Sequence, residues 1–150
     1  MLPSMSEAAG SNVYIVSFLN SENVMLKVTV QSVGDALIIR CRGRIVAGTA
    51  EQLQHVVQGS PSCELIVLDL AEVTRMDAAG LGVLASLHGL LEERGARLKL
   101  LNVACRVERL LRLTRLNAVL EVCSVPEIIA LMCRAHAAAA AERQASAISA

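Results

Sequence analysis

The chain has 150 residues, no net formal charge and a hydrophobic fraction of 54%, but it contains no Trp, one Tyr and one Phe. Such a length suits a single domain whose core is built from aliphatic side chains. A neutral chain with so few aromatic rings lacks the positive field and the stacking surfaces on which nucleic-acid binding depends. We therefore expect no nucleic-acid partner.

The apolar runs are shorter than the roughly 20 residues that a membrane span requires, so no membrane span is expected. The apolar stretch at residues 13–19 has no basic flank before it, and it is therefore not predicted to be a secretory signal. Five widely spaced cysteines without metal-ligand spacing indicate buried free thiols in a reducing cytoplasm, and neither a metal nor a cofactor is expected. They are Cys41, Cys63, Cys105, Cys123 and Cys133.

The first half of the chain predicts a β-hairpin and a helix. Residues 1–24 have a mixed pattern and are interpreted as an N-terminal extension. Residues 27–31 and 37–45 alternate on either side of Gly34-Asp35, which predicts a hairpin with one buried and one solvent-facing side. The buried side would hold Leu37, Ile39, Cys41 and Ile45, and the solvent side Ile38, Arg40, Arg42 and Arg44. Thr49 and Gln52 have the spacing of a capping box at the start of a helix.

The second half alternates strands and helices. The apolar run at residues 65–70 is typical of a strand buried on both faces. Helices are predicted over 77–94 and 106–116, strands over 97–103 and 120–123, and a last helix capped by Ser124 and Glu127. This order predicts one α/β domain over residues 25–134, with a mixed, mostly parallel sheet and about four helices. The Ala-rich residues 135–150 are expected to form a frayed helical tail.

The most specific stretch of the sequence is Val67–Leu84, which contains Asp77-Ala78-Ala79-Gly80-Leu81-Gly82 at the expected start of the second helix. It resembles the signature of STAS domains, the family of bacterial anti-sigma factor antagonists. In that signature a buried strand leads into Asp-Ser, then Ser or another residue, then Gly-Leu-Gly. The resemblance extends from about Met25 to Ala135 and includes the turn at Gly43–Ile45 and the run at 106–116.

The resemblance implies a phosphate-controlled switch. In the antagonists the serine after the motif Asp is phosphorylated by an anti-sigma factor that is also a kinase, and the unphosphorylated form binds that partner. This chain has Ala78 at that position, and Val46 follows the Gly43–Ile45 turn where the family commonly has Asp. We therefore expect a cytoplasmic, non-enzymatic binding module without a switch at this site. Either it binds constitutively, or regulation acts on the partner or on another hydroxyl, of which Thr74 is the nearest.

The expected partner surface combines the start of the second helix with the third helix. Asp77 is predicted to cap the second helix, and Gly80 and Gly82 to allow close packing or a tight entry turn. On the third helix an apolar stripe would face the sheet, while arginines joined by Leu113 and Leu116 would meet an acidic partner surface. The predicted partner-binding residues are Asp77, Ala78, Ala79, Gly80, Leu81, Arg109, Arg112 and Leu116.

Catalysis is not expected from this sequence. None of the three histidines has the spacing of a base beside a nucleophile, and His88 would contact only Glu92. Residues 80–85 fit the dinucleotide fingerprint G-x-G-x-x-A. However, six residues separate the strand that ends at Leu70 from Asp77, and no acidic residue ends the next strand. The match is therefore attributed to chance.

Three alternatives stay open. STAS domains also serve as soluble subunits of membrane transport systems, so the partner could instead be the ATPase of an ABC-type lipid transporter. A sensor that binds a small ligand under the open face of the sheet is a second alternative. A homodimer is the third, because Val83, Leu87 and Leu90 lie off the main apolar stripe of the second helix.

Overall fold

A computed structural model of the chain describes residues 4–7, 13–19 and 24–148, with side chains described over 26–134. Its strands are β1 (Ser4–Glu7), β2 (Val13–Leu19), β3 (Val24–Val33), β4 (Ala36–Ile45), β5 (Leu65–Met76), β6 (Arg97–Leu101) and β7 (Glu121–Val122). The helices are α1 (Ala50–Gln58), α2 (Ala78–Glu93), α3 (Cys105–Leu113) and α4 (Val125–Ile148), with one 3₁₀ turn at Leu116–Ala118.

The strands lie side by side in chain order. The tight turn at Gly34-Asp35 makes β3 and β4 antiparallel, whereas α1, α2 and α3 return the chain so that β4 to β7 are mutually parallel. From β3 onward the sheet is therefore mixed and mostly parallel, and the predicted α/β class with four helices is confirmed. The predicted N-terminal extension contains β1 and β2, which add two antiparallel pairings at the edge of the sheet.

The main core lies on one face of the sheet, beneath α1, α2 and α3, and is aliphatic as predicted. The homodimer alternative rested on Val83, Leu87 and Leu90. Val83 and Leu87 are buried in this core, and Leu90 is half-buried. A smaller cluster lies on the other face, where Ile128 of α4 packs against it. Ile38 belongs to that cluster and is 2% exposed, so its predicted place on the solvent side is wrong.

The helix boundaries depend on local hydrogen bonds. The capping box predicted for α4 is confirmed, because the Ser124 N–H donates to Glu127 Oε2 (2.7 Å) and the Glu127 N–H donates to Ser124 Oγ (3.4 Å). The capping box predicted for α1 is wrong. The Thr49 hydroxyl instead donates to the Arg44 carbonyl oxygen (2.7 Å) and accepts from the Val46 N–H (3.0 Å).

Several elements differ in length from their predictions, and the differences in β5 and α3 are the ones that bear on the site. β5 continues from Leu70 to Met76, so the six-residue gap that argued against a dinucleotide fingerprint is absent. α3 ends at Leu113 because Arg115 takes a left-handed conformation (φ 61°), and a 3₁₀ turn follows.

Within the described ranges, no helix combines the length and the apolarity needed to cross a membrane.

The five cysteines are all free thiols, but only two of them are buried as predicted. Cys41 and Cys123 are buried in the main and the smaller cluster, and Cys63 is partly buried. Cys105 and Cys133 are exposed, so the prediction that the thiols serve as small buried hydrophobes is wrong for these two.

Candidate partner-binding site

The start of α2 is held by the Asp77 carboxylate. Asp77 Oδ1 accepts the N–H of Gly80 (3.1 Å), which confirms the predicted helix cap. Asp77 Oδ2 accepts the N–H of Ala47 (3.2 Å), which lies in the loop between β4 and α1. These hydrogen bonds, first that from Gly80 and then that from Ala47, lower the pKa of Asp77. One ionised side chain therefore fixes α2 against a neighbouring loop.

The loop at residues 46–48 is fixed from its other side by Thr49, which is 4% exposed. Its hydroxyl binds the backbone of Arg44 and Val46, and Gly48 takes a φ of 95°, a conformation that favours glycine. Both ends of this loop are thus determined by hydrogen bonds rather than by apolar burial. This loop was not predicted, although Gly48 and Thr49 together are a signal for a constrained turn.

The residues between Asp77 and Leu81 divide into an exposed and a buried pair. Ala78 and Ala79 are exposed at the first turn of α2, next to the exposed Ala47. Gly80 and Leu81 are buried, so they offer no surface to a partner. A Cβ at Gly80 would meet the Ile45 carbonyl oxygen and Met76, which agrees with the predicted close packing. Gly82 is exposed with nothing within 4 Å of a Cβ, so close packing is wrong for that residue.

A cleft of about 290 Å³ opens beside the start of α2, between the end of β5 and the first turns of α3. We call it the arginine cleft, because its rim carries Arg75, Arg106 and Arg109. It lies at the carboxyl end of β5, the edge at which open α/β sheets commonly bind their ligands. Its other lining residues are Val73, Thr74, Met76, Ala104, Val107 and Leu110.

The residues predicted on α3 do not form one surface. Arg109 is exposed and lines the arginine cleft, whereas Arg112 Nη2 lies 2.7 Å from Glu108 Oε1 in an ion pair within the helix. Leu116 is half-buried against the main core. The predicted inward stripe holds for Val107 and Leu111, which are buried, and for Leu110, which is partly buried. Thr114 is exposed. Arg75 and Arg106 were not predicted as site residues.

The other polar side chains singled out in the sequence make ordinary contacts. His88 Nε2 lies 3.8 Å from Glu92 Oε2, as the i,i+4 spacing predicts. The Thr74 hydroxyl donates to the Gly43 carbonyl oxygen (3.1 Å) across the β4–β5 pairing. In the part of the chain that the structure describes, no three His, Cys, Asp or Glu side chains come together as metal ligands would.

The fold and this edge define an α/β domain that presents a fixed helix start and a neighbouring basic cleft to solvent. The family model for the STAS domain matches residues 27–127. An anti-sigma-B factor antagonist of Listeria monocytogenes is 34% identical over 93 residues, which are 61% of this chain and 82% of the relative. The chain belongs to the STAS domain family, as its resemblance implied.

Solved structures share the same fold at lower identity. An anti-sigma factor antagonist from Mycobacterium paratuberculosis superimposes with a TM-score of 0.62 at 18% identity, covering 71% of this chain and 93% of that one. A sulfate transporter family protein from Wolinella succinogenes gives a TM-score of 0.56 at 22% identity, covering 67% and 87%. At such identities these two likenesses establish the architecture alone.

Proposed function

We propose that this chain is a cytoplasmic, non-enzymatic binding module that docks the start of α2 onto an anti-sigma factor with a kinase fold. The binding unit is the domain over residues 25–134. The observation that carries the proposal is the exposed surface formed by Ala47, Ala78 and Ala79. The Asp77 carboxylate fixes this surface, because it accepts hydrogen bonds both from the β4–α1 loop and from α2. A surface that is ordered before binding costs little conformational entropy when a partner covers it.

The proposal includes the absence of a phosphate switch at this surface. Ala78 carries a methyl group at the first helical position, where a hydroxyl would be exposed to a kinase. A phosphate there would be tolerated by the helix dipole, but it would place about two negative charges in the contact. Without a hydroxyl the surface stays in its binding form. Control then acts on the partner or on the amount of this protein.

A binding assay with anti-sigma factors from the organism that carries this chain tests the proposal. Wild-type protein should bind one of them, and incubation with that kinase and ATP should leave the chain without phosphate. Ala78→Ser should bind as well and should become phosphorylated. Ala78→Glu should weaken binding by about tenfold or more, because it buries an unpaired charge in the contact.

Ser86→Glu is the matched control. Ser86 is exposed on the same helix two turns further along, so the same charge there should leave binding unchanged. A negative charge at position 78 stabilises the N-terminal end of α2 through the helix dipole. A loss of binding by Ala78→Glu will therefore not reflect unfolding. Binding to an ABC-type ATPase in place of any anti-sigma factor would contradict the proposal, as would phosphate on Thr74 of the wild type.

A further inference from the structure

The arginine cleft brings together three cations that lack a counter-charge in the described part of the chain. Three arginines of the sheet do have a carboxylate within 4.0 Å, in the pairs Arg40–Asp69, Arg42–Glu72 and Arg97–Glu121. No such ion pair involves Arg75, Arg106 or Arg109 over residues 26–134. Across the β4–β5 pairing Arg75 is opposite Arg44, a second cation. Like charges placed opposite each other are destabilising, so this arrangement is not explained by the stability of the sheet.

The cleft combines this positive rim with an apolar floor. Val107 is 4% exposed, Val73 and Met76 are each 8% exposed, and Leu110 is partly buried against the main core. A volume of about 290 Å³ lies at the lower limit of small-molecule sites, which run from about 300 to 1,000 Å³. It is large enough to receive one or two side chains of a protein partner. Arginines around an apolar centre are typical of protein interfaces.

We infer that the arginine cleft receives an acidic segment of the protein partner, with an apolar side chain in the cleft and carboxylates on Arg75, Arg106 and Arg109. The chain as a whole is neutral, so this positive rim is a local feature rather than the consequence of a basic protein. Guanidinium groups bind carboxylates in a bidentate geometry, which fixes the orientation of the segment as well as attracting it.

The inference rests on the proposed function, because the partner that covers the start of α2 is the one that fills the cleft. Met76 lines the cleft and directly precedes Asp77, so the two surfaces are continuous. Arg112, which is paired with Glu108, is not expected to contribute, whereas Arg75 and Arg106 are.

The test measures the Kd of the anti-sigma factor for single variants Arg75→Gln, Arg106→Gln and Arg109→Gln and for their triple combination. Each single variant should weaken binding by several-fold and the triple variant by about 100-fold or more, mainly through faster dissociation. The wild-type Kd should rise steeply with salt and the Kd of the triple variant should change less. Arg94→Gln, at the far end of α2, is the matched control and should bind as the wild type does.

The outcomes separate the two proposals. If the wild type binds, Ala78→Glu does not, and the triple variant binds unchanged, the cleft inference is wrong and the proposed function stands. If no anti-sigma factor binds the wild type, both are wrong. A charge swap that restores binding, Arg109→Glu with a partner Glu→Arg, would support the acidic segment directly. A saturable titration of the protein alone with inorganic phosphate, lost in Arg75→Gln, would assign the cleft to a small anion and overturn the inference.

Discussion

At the scale of single residues, Gly80 sets how closely α2 approaches the sheet. A Cβ there would lie 2.8 Å from Met76 Cγ and would also contact the carbonyl oxygen of Ile45, which belongs to a strand that cannot move aside. Gly80→Ala should therefore lower the free energy of unfolding by about 1–3 kcal/mol. Gly82 and Gly89 are exposed on the same helix with nothing within 4 Å of a Cβ. Alanine at either should raise it by about 0.5–1 kcal/mol.

Urea denaturation of the three single variants measures this difference, with equal m-values showing that the midpoint shift is a change in stability. Gly82→Ala and Gly89→Ala are controls for helix propensity, because they change the same residue type in the same helix without a contact. A Gly80→Ala variant as stable as Gly82→Ala would show that the approach of α2 to β4 is not as close as described.

The site was predictable in part at this scale. The Asp77 cap follows from a local rule, because an aspartate before an apolar helix accepts the first free N–H groups. Its second hydrogen bond, to Ala47, joins residues thirty positions apart, and no sequence period indicates such a contact. Arg75 and Arg106 were missed for the same reason, since the cleft arises only when β5 and α3 come together.

At the scale of elements, the start of α4 depends on an ionised glutamate. Glu127 accepts hydrogen bonds from the N–H and hydroxyl of Ser124, and Lys99 Nζ lies 3.2 Å from its Oε1. The Ser124 hydrogen bonds, followed by Lys99, lower the pKa of Glu127 from 4.5 to about 2. A carboxyl with a lowered pKa in the folded state stabilises that state above its ordinary pKa. This stabilisation should disappear as the pH falls from about 4.5 to about 2.

Thermal unfolding between these pH values measures the effect. Glu127→Gln keeps an oxygen for the Ser124 N–H but carries no charge, so its melting temperature should fall less with decreasing pH than that of the wild type. Glu93→Gln is the control, because Glu93 is exposed at the end of α2 and lies outside the hydrogen bonds that begin α4. If all three proteins lose stability in parallel, Glu127 does not contribute the expected pH dependence.

The elements themselves were predictable where a capping residue precedes an apolar or Ala-rich stretch, as in α2 and α4. They were mispredicted where tertiary contacts replace local signals. β5 runs to Met76 although Ala71 and Glu72 break the apolar run, because pairing with β4 extends it through two irregularities in register. The Thr49 hydroxyl forms its hydrogen bonds with the β4–α1 loop and does not cap α1. The left-handed conformation of Arg115 ends α3 earlier than its sequence pattern predicts.

At the scale of the whole molecule, the sheet separates two apolar clusters of unequal size. The helices α1 to α3 cover the main core, and α4 covers only part of the opposite face. The remainder of that face is polar and carries the Arg40–Asp69 and Arg42–Glu72 pairs. The alternation of apolar and polar residues predicted that one side of the β3–β4 hairpin faces solvent. It could not predict that α4 returns to bury Ile38, because that contact depends on a helix ninety residues later.

The cysteines provide a probe of how the whole fold opens. Cys41 is 2% exposed in the main core, and burial, together with the nearby charge of Asp69, raises its pKa to about 12. Because the thiolate is the reactive form, Cys41 should react with a thiol reagent only through global unfolding, whereas Cys105 and Cys133 should react at once.

Mass spectrometry should therefore show two adducts early, and the labelling rate of Cys41 should rise with urea as the unfolding equilibrium does. Cys41→Ala identifies which of the slower adducts belongs to Cys41 rather than to Cys63 or Cys123. Labelling of Cys41 that is as fast as that of Cys105 would mean that the strands of the main core open independently of the rest of the molecule.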